Sequence, residues 1–427
     1  MNGTWNRRRV LGAGVAGSVV AGLGLGGCAA PEGRPLARVV VVGGGFGGAT
    51  AARYLKMWEP ALQVTLVDRQ AQFVSCPMSN LVLEGASQLS DISRGYGPLE
   101  ALGVRRVQAE VAEIDAVKKQ VVLTDGRRLD YDRLVLSPGV DFMNDQVAGL
   151  SAASAQVLHA WKAGPQTVAL RAQLQAMPDG GVFALTVPKA PYRCPPGPYE
   201  RACMVASYFK KHKPRSKVLV LDANPEIVSK KGLFEQAFKQ HYSGLIEYRP
   251  NSEVKEVQVQ GSARTAVLEF DTVKADVLNV LPPMRAGDIA VKAGVVNVNA
   301  RWAGVNWLTL ESLAVPGIHV LGDATFSAPL MPKSGHMANQ HAKVAAAAII
   351  ALLKGETVNP NPVVMNTCYS FVTEQEVVHV ASVHQYDPSE KTFKTVPGSG
   401  GVSAAASALE GVYAKSWARN IWADMLG

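Results

Sequence analysis

Apolar and polar positions along the chain switch between the two periods that strands and helices impose. Arg38-Val39-Val40-Val41-Val42 is an unbroken apolar run, as a central parallel strand buried on both faces requires. Residues 49–57 carry helical spacing, and Gln63-Val64-Thr65-Leu66-Val67-Asp68 is a second strand ending in an acid. Residues 104–120 and 121–129 alternate as a small antiparallel meander, turned at Asp125-Gly126. Arg133-Leu134-Val135-Leu136 returns to a buried strand, broken by Ser137-Pro138-Gly139. A second α/β unit begins near Gly164, with a strand over 181–187, a helix over 199–213 and a strand at Lys217-Val218-Leu219-Val220-Leu221-Asp222. A β-rich stretch over 254–280 ends at Leu281-Pro282-Pro283, where the chain crosses back. Ile318-His319-Val320-Leu321 is a further apolar strand running into Gly322-Asp323-Ala324, and a helix follows over 336–353. Past the linker Asn359-Pro360-Asn361-Pro362 lies a smaller unit with a strand over 377–383 and an aromatic, helical end from Trp417 to Trp422.

Chemistry enters between the first strand and the first helix. Gly43, Gly45 and Gly48 occupy the first, third and sixth positions of a dinucleotide fingerprint. Glycines there permit a tight turn and let the backbone approach a pyrophosphate at the helix N-terminus, while Asp68 is placed to bind a ribose hydroxyl. The series resembles the FAD domain of two-dinucleotide-fold flavoproteins. That resemblance implies FAD, with Gly322 and Asp323 at its ribityl or phosphate region. Lys333, Ser334 and Gly335 then lead into a helix whose N-terminus faces the flavin ring, favouring negative charge there. In the second unit the corresponding loop is Pro188-Lys189-Ala190-Pro191-Tyr192-Arg193-Cys194-Pro195-Pro196-Gly197-Pro198. Prolines lack N–H groups, so this loop offers no row of donors to a second pyrophosphate, and NADH is a poor electron donor for it. The expected fold is α/β: two Rossmann-like (FAD/NAD-type) domains plus a small C-terminal α+β domain. The divisions are 31–150 with 287–355 for FAD, 151–286 for the nucleotide-free unit and 356–427 for the last.

Composition narrows the setting. A chain of 427 residues with 48% hydrophobic and 18% charged residues is ordered and large enough for several domains. The formal charge of +8 includes Arg7, Arg8 and Arg9, and no Lys/Arg stripe or nucleic-acid motif occurs. Asn6-Arg7-Arg8-Arg9-Val10-Leu11 resembles a twin-arginine export motif, so residues 1–30 read as a signal and the periplasm as the destination. Leu25-Gly26-Gly27-Cys28 resembles a lipoprotein box, and a membrane anchor is expected only if Cys28 is lipidated. Cys76, Cys194, Cys203 and Cys368 remain, and four cysteines in an oxidising compartment allow three full pairings. Cys203 falls on an apolar helical stripe and reads as a core residue. No Cys-x-x-Cys is present, so no haem is expected in this chain, and no metal site is expected either.

Three short motifs carry a closer resemblance. They are Cys76 followed by Met78-Ser79-Asn80, the run Tyr192-Arg193-Cys194-Pro195-Pro196-Gly197-Pro198-Tyr199-Glu200-Arg201-Ala202, and Asn366-Thr367-Cys368-Tyr369-Ser370. Together they resemble the flavoprotein subunit of flavocytochrome c sulfide dehydrogenase. The resemblance implies FAD linked covalently through Cys76, with Pro77 as a departure from the family pattern beside it. It implies a redox-active disulfide between Cys194 and Cys368, with Glu200 managing protons. It also implies sulfide as substrate and a c-type cytochrome subunit or soluble cytochrome c as the electron acceptor. The competing readings are a sulfide:quinone oxidoreductase and a flavin-bearing accessory subunit of a sulfur-oxidation complex.

Overall fold

The strand Arg38–Val42 lies at the centre of a seven-stranded sheet, flanked in parallel by Gln63–Asp68 and Arg133–Leu136. Arg105–Gln108 extends the sheet on one side and Ile318–Val320 on the other, both parallel; two short antiparallel strands, Glu311–Ser312 and Val305–Asn306, close that edge. Val39, Val41, Leu66, Leu134 and Val135 are solvent-free, the burial on both faces that the apolar run demanded. The helices Phe46–Trp58 and Gly335–Lys354 pack against each other. This computed structural model describes residues 35–427, which form one compact unit. The export motif and Cys28 lie outside the described residues.

A second sheet places Ile246–Arg249, Lys217–Asp222, Val182–Val187 and Val277–Val280 side by side, all parallel. The helix Gly197–His212 packs against it and starts with proline in its first turn, where a missing N–H costs nothing. A third, antiparallel sheet is built from Val363–Phe371, Val377–Asp387 and Thr392–Thr395, with Gly401–Val402 pairing to the second of these. The helix Ala408–Leu426 packs on this sheet and reaches back to Phe46–Trp58, burying Trp422. The two Rossmann-like sheets and the C-terminal α+β unit are therefore joined through buried helix faces. No helix among the described residues is long and apolar enough to cross a membrane.

The sequence expectation did not include the helices Pro165–Ala176 and Lys231–His241 or the strand Ile246–Arg249, and it differs at two further places. Arg105–Gln108 belongs to the parallel sheet, and the antiparallel set is only Val111–Asp115, Gln120–Leu123 and Arg128–Asp130. As an edge strand it buries Val107 and exposes its neighbours, which gives it the alternation of a meander. The strand Val363–Phe371 lies where no element was expected, across the polar Asn366-Thr367-Cys368-Tyr369-Ser370. Its buried Asn366 and Ser370 are satisfied by side-chain hydrogen bonds to Ser334 and Lys230, so polarity and burial coexist.

Candidate functional site

The carboxyl ends of the first sheet's strands open onto a cavity of about 520 Å³, closed by the loop and first turn of the Gly197–His212 helix and by the strand Val363–Phe371. An α/β sheet commonly holds its ligand in this position. Gly43 has φ +100° and a Cβ there would stand 2.3 Å from the Ser137 carbonyl oxygen, so only glycine makes the turn. The Gly44 N–H donates to Asp68 Oδ2 at 2.5 Å and the Gln70 N–H to Oδ1 at 2.6 Å, so Asp68 fixes the loop while lining the cavity. A carboxylate retains further lone pairs for a hydroxyl. Gly45 meets no protein atom and lines the cavity. Gly48 does not line it: a Cβ there would lie 1.7 Å from the Gly43 oxygen, so its place is helix–loop packing behind the ligand.

Gly322 and Asp323 form a turn after Ile318–Val320, with Asp323 only 9% exposed. Asp323 Oδ1 has no hydrogen-bond partner, and burial pushes its carboxyl group up against the opposing pull of Arg193 and Lys333. An orphaned buried acceptor beside a cavity is costly unless a ligand hydroxyl reaches it. Ser334 caps the Gly335–Lys354 helix through Met337 N at 3.0 Å, and both Ser334 and Gly335 line the cavity. The open face at Gly45, the unpartnered Asp323 oxygen and this helix N-terminus together fit FAD. Lys333 departs from expectation. Its ammonium turns away to the Asp323 and Thr325 carbonyls at 3.0 and 2.5 Å and stacks 3.7 Å over Trp302, and its side chain does not line the cavity. Burial pushes it down to about 7, and its own carbonyl instead accepts the Cys194 N–H at 2.9 Å.

Three cysteines line this one cavity. Cys76 receives the Ala163 N–H at 3.4 Å and faces the Trp161 carbonyl at 3.8 Å, so the strap 161–163 crosses directly over its sulfur. Cys194 sits in a left-handed conformation, φ +60°, immediately before the Gly197–His212 helix. Cys368 lies in the Val363–Phe371 strand, with Asn366 Nδ2 donating to its sulfur at 3.3 Å. All four described cysteines are free thiols, so the pairing that the resemblance implied is not formed here. Cys203 is fully buried in the core. Glu200, in the first turn of the helix, accepts the Phe371 N–H at 3.2 Å and thereby joins the segments carrying the two cysteines. Burial pushes Glu200 up to about 7, into the range where a proton is easily exchanged.

Other residues were not foreseen. Arg201, 1% exposed, donates to Asn80 Oδ1, Asn279 Oδ1 and the carbonyls of His159 and Ala160 at 2.7–3.1 Å, pinning the strap over Cys76. Lys230 reaches Cys368 and Ser370 from the second sheet's side. Trp417 lines the cavity and stacks edge-on to His336 at 5.8 Å. For Arg201 and Lys230 one sequence gives no signal, because a single lysine or arginine in a loop or helix looks like ordinary surface charge.

Comparison with known proteins sharpens the picture. The chain matches the central domain model of the sulfide dehydrogenase (flavocytochrome c) flavoprotein chain over residues 167–282. It matches the flavocytochrome c sulphide dehydrogenase flavin-binding model over 360–426, and a pyridine nucleotide-disulphide oxidoreductase model over 37–176. The mitochondrial sulfide:quinone oxidoreductase of Mus musculus is 25% identical over 313 residues, 67% of this chain and 65% of the mouse protein. That of Dictyostelium discoideum is covered over 66% of its length, so just under two thirds of these relatives is spanned. The sulfide:quinone oxidoreductase structure from Aquifex aeolicus superposes with a TM-score of 0.72 at 19% identity, covering 91% of each chain, and shares the fold. The sulfide dehydrogenase flavoprotein chain of Chlorobaculum thiosulfatiphilum is 60% identical over 45 residues, 10% of this chain and 94% of that one. With separate models matching its central and C-terminal parts, the chain belongs to the family of flavocytochrome c sulfide dehydrogenase flavoprotein chains.

Proposed function

We propose that this protein oxidises sulfide with FAD and the Cys194–Cys368 pair and passes the electrons to a c-type cytochrome, in the periplasm. The observation that supports it most is the convergence of Cys194 and Glu200, from the second unit, and Cys368, from the C-terminal sheet, on the cavity built by the glycine loop. With the bridge closed, hydrogen sulfide attacks one of its sulfurs. The Cys194–Cys368 S–S bond breaks, a new S–S bond makes a persulfide on one cysteine, the other leaves as a thiolate, and Glu200 takes the released proton. As the bridge closes again, the outer persulfide sulfur leaves as elemental sulfur or polysulfide and gives up its proton and two electrons; FAD, when bound, would supply the acceptor for that pair, from which electrons can leave one at a time. Phe371, Trp161 and Trp417 give the cavity an apolar wall that limits water at the sulfurs.

Glu200 makes the scheme pH-dependent in a stated direction. Its carboxylate is the form that accepts a proton, so the fraction competent rises as pH passes upward through about 7. Glu200→Gln should slow sulfide-dependent flavin reduction about 10²–10³-fold and remove that limb. Sulfide's own ionisation affects both proteins equally, so the ratio of their rates across pH isolates Glu200. A ratio constant over pH would exclude this carboxylate as the base.

The tether at Cys76 has an independent readout. Acid precipitation should leave the yellow colour in the pellet, while Cys76→Ala should release FAD to the supernatant. Complete release from the unmodified protein would show the cofactor to be held without a covalent bond.

The similarity to sulfide:quinone oxidoreductases favours a quinone as the competing acceptor. Stopped-flow reoxidation of the sulfide-reduced protein separates the two: the cytochrome reading requires rapid oxidation by cytochrome c and slow oxidation by a soluble quinone. An accessory subunit would be bleached by sulfide too slowly for turnover.

A further inference from the structure

We propose that Lys230 is the positive charge that holds the Cys368 sulfur as a thiolate once the bridge is open. It would thus act as a positioning residue for the reaction; this rests on the sulfide-oxidation reading above. Lys230 stands at the start of the Lys231–His241 helix in a left-handed conformation, φ +55°, and is 7% exposed. Its ammonium donates to the Cys368 carbonyl at 3.0 Å, to Ser370 Oγ at 2.7 Å and to the Val378 carbonyl at 3.3 Å. All three acceptors are neutral, and among the described residues Lys230 makes no ion pair. A buried ammonium is expected to face an anion, because removal from water is otherwise uncompensated.

The candidate anions are few and nearly all chemical. Glu200 faces Lys230 from the Gly197–His212 helix, Cys194 from the loop before it, Cys368 from the strand and Glu410 from the C-terminal helix. Arg193 and Arg201 are the other cations near the sulfurs. His336 is kept neutral, pushed down to about 4 by burial, and His379 is bonded to Glu410 at 2.9 Å. A thiolate formed on reaction would therefore complete a pairing that the resting site leaves open.

The two cysteines are not equivalent in this field. The Cys368 sulfur receives the Asn366 amide N–H at 3.3 Å, and Lys230 is bonded to the same residue's carbonyl. No donor to the Cys194 sulfur occurs among the described residues, while its own N–H is spent on the Lys333 carbonyl. Burial pushes both thiols up and Lys230 pulls both the other way, helped by Arg193 at Cys194, but only at Cys368 do side-chain hydrogen bonds, from Asn366 and Ser334, add to that pull. In thiol–disulfide exchange the better-stabilised thiolate leaves. Attack then falls on Cys194, which carries the persulfide, and Cys368 retains the thiolate.

The test is alkylation of the FAD-loaded protein after reduction by a phosphine without oxygen. Iodoacetamide is added over a range of pH and the Cys368 and Cys194 peptides are quantified by mass spectrometry. Lys230→Met should move the Cys368 profile to higher pH and slow its alkylation at neutral pH at least about tenfold, with a smaller change at Cys194. Lys230→Gln keeps hydrogen-bond donors but no charge, and should behave like Lys230→Met. An unchanged Cys368 profile in either variant, or restoration by Lys230→Gln, would overturn the assignment in favour of a structural role. If neither variant folds, Glu200→Gln decides: removal of the competing anion should move the Cys368 profile to lower pH, and no movement overturns the proposal. Alkylation uses no sulfide, so a wild-type flavin that sulfide fails to reduce would overturn the functional reading separately.

Discussion

Cys194→Ser should abolish sulfide-dependent flavin reduction, by about 10³-fold or more, while leaving the protein folded and flavin-loaded. The size follows from the role: a group that forms and breaks the bond takes most of the rate with it when removed. The fold is expected to survive because Cys194 is held by its backbone. Its N–H donates to the Lys333 carbonyl and its carbonyl accepts the Gly197 N–H, both at 2.9 Å, and serine keeps both. Cys368→Ser should give the same loss, since the strand pairing of residue 368 with Val380 is also a backbone property. Cys203→Ala is the contrast. That thiol is fully buried in the core and touches no part of the cavity, so its loss should lower stability and leave the rate within a few-fold. Stopped-flow absorbance at the flavin band reads all three. A Cys194→Ser protein with wild-type kinetics would remove the bridge from the chemistry.

Gly48→Ala should be the most damaging single methyl group in the chain, although Gly48 does not line the cavity. The added Cβ would stand 1.7 Å from the Gly43 oxygen and 3.3 Å from Val41 Cγ1. The nearer obstacle is backbone in the tightest turn of the sheet, so nothing flexible can give way. The Phe46–Trp58 helix would have to lift from the central strand, and we expect a loss of at least about 3 kcal/mol together with loss of bound FAD. Gly45→Ala separates the two effects. No protein atom lies within 4 Å of its Cβ, so folding should be unaffected, but the methyl would project into the space a pyrophosphate needs. Thermal unfolding and the flavin-to-protein absorbance ratio measure both. If Gly48→Ala melted like the wild type and kept its flavin, the packing argument for this loop would fail.

Much of the first sheet was legible because its signals are local. The apolar run at Val39–Val42, the glycines that follow and the acid at Asp68 each obey a backbone or burial constraint that shows within a few residues. The two strands of the first βαβ unit accordingly begin and end where the pattern places them. The proline loop before Gly197 was also readable, since a missing N–H is a property of the residue itself. Less was legible where satisfaction is non-local. No strand was expected at Val363–Phe371, and the partners that let its polar Asn366 and Ser370 be buried are Ser334 and Lys230, 32 and 140 residues away. Lys333 was placed at the cofactor by its position in a motif. Its ammonium instead found two carbonyls and an indole ring behind the cavity. Arg201 stood in plain view inside a quoted motif, yet its four acceptors come from three separate segments, and nothing in the order of residues announces them.

In the proposed reaction sulfide delivers its electrons through the Cys194–Cys368 pair to a flavin in this cavity. An anaerobic titration of the purified protein with sulfide, followed at the flavin absorbance and then by mass spectrometry of the cysteine peptides, tests that directly. The first equivalent of sulfide should bleach the wild-type flavin and leave the bridge closed, a second should leave one added sulfur atom on the Cys194 peptide, and the flavin of Cys194→Ser and Cys368→Ser should remain oxidised. A flavin that stays oxidised in the wild type, or one that bleaches at the wild-type rate in both serine variants, would contradict it.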